Sequence, residues 1–239
     1  MPPVIIAHRT SPRDAPENSL AGIQRSAELG ADYVEIDVRL TRDGVAVMLH
    51  DGLLLRTTLR PWPVSWATAK GLRRATLRKS GERVPTFAEA VAALPEEMGF
   101  AIDTKDPDAA DAVVDELRRQ GKLDRSLLWA QSGRAVRRYV ERAGGEAPEV
   151  ALLRDAFSAD EIDRFLQDAL DAGATAISAH QDTVDDAFIA RAHDVGLRVH
   201  CWFQDLATQA RLAELPLDGI VTDWPVDARA RSRGSGSGP

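Results

Sequence analysis

The chain has 239 residues, of which 44% are hydrophobic and 28% charged, with a formal net charge of −7. This composition indicates a globular protein with a sizeable core, and the length fits one large α/β domain better than two ordinary ones. The negative charge argues against nucleic acid or an anionic membrane surface as the main partner. Cys201 is the single cysteine, which excludes an intrachain disulfide and fits a reducing compartment.

Short β-rich runs alternate with longer helix-like segments along the chain. The predicted strands are 4–8, 33–40, 45–50, 99–104, 126–131, 149–154, 175–180, 198–203 and 218–223. The predicted helices are 18–29, 86–94, 108–120, 133–143, 159–171, 184–194 and 205–214. This alternation indicates βαβ units and a parallel sheet. We therefore predict a single (β/α)8 TIM barrel over residues 1–228.

Nine strands are one too many for an eight-stranded barrel. The second and third runs are joined only by the tetrapeptide TRDG, whereas a parallel crossover needs a dozen or more residues. The two runs must therefore form an antiparallel hairpin, and its Asp-Gly dipeptide favours a tight turn. We predict a β-hairpin extension after the second strand, in which His50 lies across from Glu35 or from Asp37.

The remaining segments are less regular. Residues 51–85 contain tryptophans, prolines and a basic stretch, and are interpreted as a rim loop with a solvated charged face. Residues 229–239 are basic and then rich in Gly and Ser, which predicts a disordered tail or an expression remnant. The sequence shows neither a signal peptide nor a transmembrane helix, so we expect a cytoplasmic protein.

Two carboxylates lie together in the second run. Glu35 and Asp37 are two residues apart, so strand alternation places both side chains on one face, which points inward in a barrel. A buried acid pair needs a cation or a donor, and oxygen ligands suit Mg²⁺ or Ca²⁺. An exposed sheet edge is the alternative for this pair alone. Asp103 and Lys105 repeat the spacing, and offer either a third ligand and a phosphate contact or a structural ion pair.

Two of the predicted strands have a histidine as their last residue. His8 ends the first run and His50 ends the hairpin, each next to charged residues. Because barrel active sites lie at the C-terminal ends of the strands, the two could serve as a general acid and a general base. Glu17 precedes Asn18, which is interpreted as a helix N-cap. The Glu17 carboxylate is either another ligand or a local partner of that cap, and Asp223 is interpreted as a cap of the turn after the last strand.

Several strings resemble motifs of the glycerophosphodiester phosphodiesterase family. AHRTSPRDAPENSLAGI, YVEIDVRLTRDGVAVMLHD and LLRTT are similar to the family's HRG, APENT, E-x-D, T-x-DG and HD motifs. Weaker similarities are VPTFAEA, AIDTK, CWF and DGIVTDWP. The resemblance runs from His8 to about Pro225, and its most specific motifs lie within residues 8–51.

The resemblance implies a (β/α)8 fold and a divalent metal, Mg²⁺ or Ca²⁺, held at the positions of Glu35 and Asp37. It implies that His8 and His50 are the acid–base pair. Two departures from the family pattern stand out. Thr10 replaces a glycine and is expected to alter the backbone path or crowd the phosphate, and a shorter aspartate replaces the glutamate that usually supplies the third metal ligand.

The aspartate that stands in place of the family's usual glutamate is Asp103. The resemblance also implies that Arg9 and Lys105 contact the phosphate. Glu17 would sit in the site as a ligand or support, and Trp202 would line the pocket for the alcohol.

The predicted function is metal-dependent hydrolysis of glycerophosphodiesters to glycerol phosphate and an alcohol. A lysophospholipase D or sphingomyelinase D-like enzyme is one alternative, and it would need an apolar groove near Trp62, Trp66, Trp202 and Phe203. A catalytically silent phosphate-binding barrel is another. The expected partner is a small phosphodiester, with no nucleic acid and no stable membrane insertion, and the sequence gives no indication of oligomeric state.

Overall fold

The structure is a computed structural model that describes residues 2–78, 80–155, 157–203 and 205–234. Its strands in chain order are β1 Val4–Ala7, β2 Tyr33–Leu40, β3 Ala46–Met48, β4 Gly99–Thr104, β5 Ser126–Ala130, β6 Glu149–Arg154, β7 Ala176–His180, β8 Arg198–Trp202 and β9 Gly219–Thr222. Its α-helices are α1 Leu20–Glu28, α2 Leu55–Thr58, α3 Ala69–Leu72, α4 Phe87–Ala93, α5 Ala110–Arg119, α6 Gly133–Ala143, α7 Ile162–Asp171, α8 Asp186–Asp194, α9 Leu206–Leu212 and α10 Pro225–Gly234.

Eight parallel strands close into a ring. Pairing runs in the order β1, β2, β4, β5, β6, β7, β8, β9, and β9 pairs back with β1. The closing pair is in register from Val4 with Gly219 to Ala7 with Thr222. The ring confirms the predicted TIM barrel, with β3 as an additional strand outside it.

The hairpin between β2 and β3 corrects the predicted register. Val38 pairs with Met48, which lies between the two registers that we considered. The backbone amide of Thr41 donates to the carbonyl of Val45 over 3.0 Å, so three residues rather than two form the loop. Strand pairing ends before His50, which therefore faces neither Glu35 nor Asp37 directly across the hairpin.

Strand alternation separates two layers of core. The outward side chains of β2, such as Ile36 and Val38, are buried beneath the surrounding helices. Inside the ring lie smaller side chains such as Ala101 and Ala151, together with the large indole of Trp129. This mixture of small and large residues fills the lower barrel, so the open space lies at the C-terminal ends of the strands.

Residues 51–85, which we call the rim segment, form a small unit of their own. The segment contains the short helices α2 and α3 and covers a separate apolar cluster that includes Leu54, Val64 and Leu72. It is thus more ordered than the predicted rim loop, although Lys79 lies outside the described residues. The segment begins directly after His50 and therefore borders the end of the hairpin.

The last helix passes through the predicted domain boundary. Helix α10 continues to Gly234, so residues 229–234 are helical rather than a disordered tail. Arg229 on this helix donates to the carbonyl of Gly30 over 2.9 Å and forms a 2.6 Å ion pair with Asp32. Residues 235–239, the rest of the predicted tail, lie outside the described part of the chain. No described helix combines the length and apolar character needed to cross a membrane.

Candidate active site

A cavity of about 230 Å³ opens at the C-terminal ends of the strands. Its lining residues are His8, Arg9, Glu35, Asp37, His50, Asp103, Lys105, Trp129, Gln131, Leu153, Asp155, Ser178, Trp202 and Val221. All the predicted site residues except Glu17 are among them. The fold therefore gathers side chains from nearly the whole chain into one site.

Three carboxylates form the charged centre of the cavity. Glu35 and Asp37 project inward from β2, and Asp103 projects from the neighbouring β4, where it pairs with Asp37 in the strand register. One oxygen from each carboxylate lies within 4.8 Å of the others, and all three residues are buried. This is the acidic group that could hold a metal ion.

Burial and mutual repulsion of the three carboxylates shift their pKa values. Burial, followed by the charges of Asp37 and Asp103, raises the pKa of Glu35 well above its usual range. Burial also raises the pKa of Asp103, although Lys105 opposes that shift. Burial alone would raise the pKa of Asp37 too, but the charges of Lys105 and Arg9 lower it to about 2. The cluster therefore contains more negative charge than its own cations stabilise.

Two basic side chains adjoin the acids. The Lys105 ammonium lies 3.1 Å from Asp37 Oδ1 and also contacts Asp103 Oδ2. The backbone amide of Arg9 donates to Glu35 Oε2 over 2.6 Å, and its Nε lies 3.5 Å from Asp37 Oδ2. Because Arg9 Nε is buried without a hydrogen-bond partner, the guanidinium keeps donor capacity for an anion in the cavity.

Asp103 supplies a direct test of whether a cation fits. Its Oδ1 atom is buried and has no hydrogen-bond partner among the described residues. An unpaired buried carboxylate oxygen is costly. Three convergent carboxylates with one such oxygen form a donor set that suits a hard divalent cation.

Asn18 holds Asp37 in place, a role that differs from its predicted one. Its side-chain amide donates to Asp37 Oδ2 over 2.8 Å, and its Oδ1 accepts from the Asp37 backbone amide over 2.9 Å. The N-cap of α1 is instead Ser19, whose hydroxyl accepts from the Gly22 amide. The backbone of Asn18 is left-handed, with φ of 53°, a conformation that asparagine tolerates better than most residues.

His8 is anchored by a residue from the other end of the chain. His8 Nδ1 lies 2.8 Å from Asp223 Oδ1. Asp223 follows β9 and His8 follows β1, and these two strands are paired. The aspartate that we interpreted as a turn cap is thus a partner of His8, and closure of the predicted barrel was the signal that could have revealed it.

His50 has a matching carboxylate partner and a longer chain of contacts behind it. His50 Nδ1 lies 2.7 Å from Asp51 Oδ1, and Asp51 Oδ2 accepts from Arg56 Nε over 2.5 Å. Arg56 then donates through both terminal nitrogens to the Glu17 carboxylate, over 2.5 and 2.7 Å. Glu17 therefore lies outside the residues that line the cavity, and its contacts lead to His50 through Arg56 and Asp51.

The aromatic wall of the cavity centres on Trp202. Its indole lies 4.4 Å from the His180 ring and 6.4 Å from the His8 ring, between centroids. The apolar groove expected for a lipid substrate does not form as one surface. Phe203 is buried against Trp224, and the two rim-segment tryptophans line a separate groove.

Below the cavity, a buried carboxylate holds the Trp129 indole. Trp129 Nε1 donates to Glu149 Oε1 over 2.9 Å, and His200 Nε2 lies 2.8 Å from the same oxygen. Arg198 approaches Glu149 Oε2 at 3.2 Å. Burial would raise the pKa of Glu149, but the charge of His200 and these hydrogen bonds lower it overall.

Comparison with known proteins identifies the family. Residues 8–227 match the model of the glycerophosphoryl diester phosphodiesterase family. The chain belongs to this family. A relative from Mycobacterium tuberculosis, a probable glycerophosphodiester phosphodiesterase 2, is 32% identical over 92% of this chain and 87% of the relative. A putative glycerophosphodiester phosphodiesterase from Bacillus subtilis is 27% identical over 92% of this chain and 94% of that protein.

Solved structures of family members share the fold. A putative phosphodiesterase from Silicibacter pomeroyi superposes with a TM-score of 0.86 at 22% identity, covering 98% of this chain and 94% of that one. A phosphodiesterase from Oleispira antarctica, solved with its product sn-glycerol-3-phosphate, gives 0.81 at 23% identity and covers 96% of each chain. The sequence-based identification of a phosphodiesterase-class enzyme is confirmed by this family membership.

Thr10, which stands where the family pattern has glycine, places its side chain outside the cavity. Arg9, Thr10 and Ser11 have left-handed backbones, with φ between 42° and 62°. Thr10 is buried, and its hydroxyl accepts from the backbone amide of Ser19 over 3.2 Å. Thr10 is not among the residues that line the cavity. The side chain therefore packs against the start of α1 and does not crowd the space for a phosphate.

Proposed function

We propose that this protein hydrolyses glycerophosphodiesters to glycerol phosphate and an alcohol, with a divalent metal and an acid–base pair of histidines. The observation that carries the proposal is the arrangement of His8 and His50 in one cavity. Each ring is fixed by a carboxylate at Nδ1, which leaves Nε2 for proton transfer. The cavity also contains an acidic cluster that can bind a metal ion and two cationic side chains that can stabilise the charge of a phosphodiester.

Glu35, Asp37 and Asp103 would hold the metal, either Mg²⁺ or Ca²⁺. Such an ion, when bound, withdraws charge from the non-bridging oxygens of a phosphate. The chain's own Arg9 and Lys105 would bind the same anion, because both cationic groups face the cavity beside the acids. Glu17 supports this centre indirectly, since it holds Arg56.

The two histidines would divide the proton transfers. One takes a proton from the nucleophile, which is water or a neighbouring substrate hydroxyl, and the other gives a proton to the departing alcohol. A carboxylate at Nδ1 fixes the tautomer with its proton on that nitrogen and stabilises the imidazolium that forms, as in serine hydrolase triads. Asp51 and Asp223 would each serve in this way. Trp202 would line the space for one of the alcohol groups.

The main experiment separates this function from its two alternatives. Metal-stripped protein is incubated with glycerophosphocholine or with lysophosphatidylcholine, with Mg²⁺ or Ca²⁺ added, and products are followed by phosphorus NMR. We expect metal-dependent release of glycerol phosphate from glycerophosphocholine. A preference for the lysolipid would identify the lysophospholipase D-like alternative. Metal binding without turnover of either substrate would identify a silent phosphate-binding barrel.

The histidine assignment has its own test. Replacing His8 or His50 with Ala should lower kcat by roughly 10²-fold or more. The matched control is His193→Ala, because His193 is exposed near the C-terminal end of α8, contacts Asp218 and does not line the cavity. Unchanged turnover in either cavity variant would overturn the acid–base pair.

A further inference from the structure

The rim segment exposes an unusual number of large apolar side chains. Five of the nine large hydrophobic residues exposed in the described part of the chain lie within it, namely Leu53, Leu55, Leu59, Trp62 and Trp66. Trp66 is 71% exposed and Leu59 is 62% exposed. Concentrated exposure of this kind marks a surface that meets another apolar phase or partner.

The centre of this exposed region is a groove that apolar and cationic side chains share. Leu53 forms a β-bridge with Pro63, next to Trp62. Trp62 and Trp66 line a common groove together with Arg60 and Arg74. The Arg60 guanidinium lies 5.8 Å from the centre of the Trp62 ring. Apolar and cationic groups are therefore interleaved in this groove.

The charge of the rim segment is opposite to that of the rest of the protein. Residues 51–85 contain eight Lys or Arg residues and two Asp or Glu residues, a net charge of +6, in a chain whose total is −7. Four of these arginines are exposed and have no carboxylate within ion-pairing distance in the described structure. They are Arg60, Arg73, Arg74 and Arg78. We call these four arginines and the five apolar residues of the segment the rim patch. Its centre is the groove of Trp62, Trp66, Arg60 and Arg74, whereas Arg73 and Arg78 line two other grooves.

Leu59 is a residue that folding alone does not explain. Its backbone is left-handed, with φ of 61°, and its side chain points into solvent. Asparagine or glycine would fit that backbone with less strain and would be more soluble. A leucine here lowers both stability and solubility unless the side chain enters an apolar environment.

We propose that the rim patch docks the protein reversibly on an anionic lipid bilayer surface. Tryptophan and leucine side chains favour the boundary between headgroups and acyl chains. Exposed arginines of the same segment that have no carboxylate partner add attraction to anionic lipid. Docking of this kind requires no membrane-spanning helix. The total charge of −7 does not describe this surface, because the rim segment is positively charged and the excess of negative charge lies in the rest of the chain.

The same charges argue against a second copy of the chain as the occupant. A symmetric dimer through this face would bring two +6 segments together. Like charges at an interface oppose association, whereas an anionic bilayer attracts the whole face at once. The lipid surface is therefore the partner that the charge of the patch favours.

The rim patch is joined to the catalytic cavity through α2. This helix is only about 6 Å long, and it carries Leu55 beside Arg56, with Leu59 at its C-terminal end. Arg56 holds Asp51, which contacts His50. A docked rim patch would therefore keep the His50 side of the cavity close to the bilayer surface, where products of phospholipid deacylation are released.

Vesicle binding tests the proposal independently of catalysis. Sucrose-loaded vesicles of phosphatidylcholine alone, or of phosphatidylcholine mixed with phosphatidylglycerol, are sedimented with the protein at low and high salt. We expect binding to the anionic vesicles, weakened by salt, with a blue shift of tryptophan emission. The double variants Leu59→Asn/Trp66→Ser and Arg73→Glu/Arg74→Glu should each bind at least about tenfold more weakly.

The matched controls carry the same changes elsewhere on the surface. They are Val195→Ser/Val226→Ser, which removes other exposed apolar side chains, and Arg137→Glu/Arg164→Glu, which reverses other exposed arginines. Both should bind vesicles as the unmodified protein does. Equal losses in patch and control variants would overturn the proposal, as would no sedimentation with either vesicle.

Two further measurements separate the competing explanations. A concentration-dependent dimer in analytical ultracentrifugation that is lost in Leu59→Asn/Trp66→Ser would show that the patch binds a second copy instead. The same variant should turn over dissolved glycerophosphocholine at the unmodified rate, because neither residue touches the cavity. Vesicle binding with no turnover would contradict the proposed function and leave the docking surface standing.

Discussion

Asp223 Oδ1 lies 2.8 Å from Nδ1 of His8, so the residue after the last barrel strand orients the residue after the first. Asp51 makes the same kind of contact with Nδ1 of His50. The two catalytic candidates are therefore built alike, although one pair is adjacent in sequence and the other spans the chain.

Replacing Asp223 with Asn should reduce turnover without emptying the metal site. The amide can donate to His8 Nδ1 and favour the wrong tautomer, so kcat should fall on the order of 10²-fold or more. Steady-state kinetics with glycerophosphocholine measures the loss. The control is Asp194→Asn, an exposed aspartate at the end of α8. Equal kcat in the two variants would contradict the role of Asp223.

Arg56 should act on His50 through Asp51. Replacing Arg56 with Gln or Glu17 with Gln should each lower kcat, because each breaks the same chain of hydrogen bonds. The double variant should lose little more than the more damaging single variant. A double-mutant cycle on kcat, with Arg164→Gln as the control, measures this coupling. Strictly additive losses would show that the two residues act separately.

Adding a divalent metal should stabilise the folded protein. Binding to the native state alone contributes about 2.7 kcal/mol when the metal is at 100 times its Kd. The free energy of unfolding in urea should therefore rise with Mg²⁺ or Ca²⁺ in the unmodified protein. Asp103→Asn should remove most of this dependence, whereas Asp194→Asn should keep it. A metal effect of the same size in Asp103→Asn would exclude Asp103 as a ligand.

Gly22 in α1 should resist a substitution that normally favours helices. A Cβ atom at this position would lie 2.3 Å from the hydroxyl oxygen and 2.4 Å from the carbonyl oxygen of Thr10. Gly22→Ala should therefore destabilise the fold by about 2 kcal/mol in urea unfolding. Gly133→Ala in α6 is the control, because its nearest neighbour would be 3.7 Å away. It should be neutral or stabilising.

The Glu149 carboxylate should make stability depend on pH in the acidic range. Its folded-state pKa is lowered from the ordinary 4.5, so its contribution is complete above that pH and is lost as the pH falls through the folded value. Glu149→Gln should be less stable by about 2–4 kcal/mol near neutral pH. The gap should narrow as urea unfolding is measured at lower pH. A constant gap from pH 7 downward would contradict this ionisation.

The acidic cluster was predictable because its geometry is local. Glu35 and Asp37 share a strand face by alternation alone, and Asp103 repeats the same position on the next strand of the ring. The fold and its hairpin followed from similar short-range rules. The His8–Asp223 contact needed the closed ring, which joins residues that are 215 positions apart.

Other details depend on backbone conformations that side-chain patterns do not show. The left-handed residues at Arg9, Thr10 and Asn18 turn the chain between β1 and α1. That path brings Asn18 to Asp37, so that Ser19 is the N-cap of α1 instead, and it sends the neighbouring Glu17 to Arg56 rather than into the lining of the cavity. The hairpin register differed for a related reason, because a three-residue loop cannot be told from a two-residue one by its Asp-Gly pair.

The pairing of the first and last strands joins groups that leave the ribosome at opposite ends of translation. The three acids lie within residues 35–103, and the pair around His50 is complete by residue 56. His8 gains its Asp223 partner only after residues near the end of translation have emerged. A nascent chain therefore lacks the His8–Asp223 contact until the last strand of the ring has paired with the first. The orientation of the His8 ring is thus a property of the finished barrel and not of any shorter piece of it.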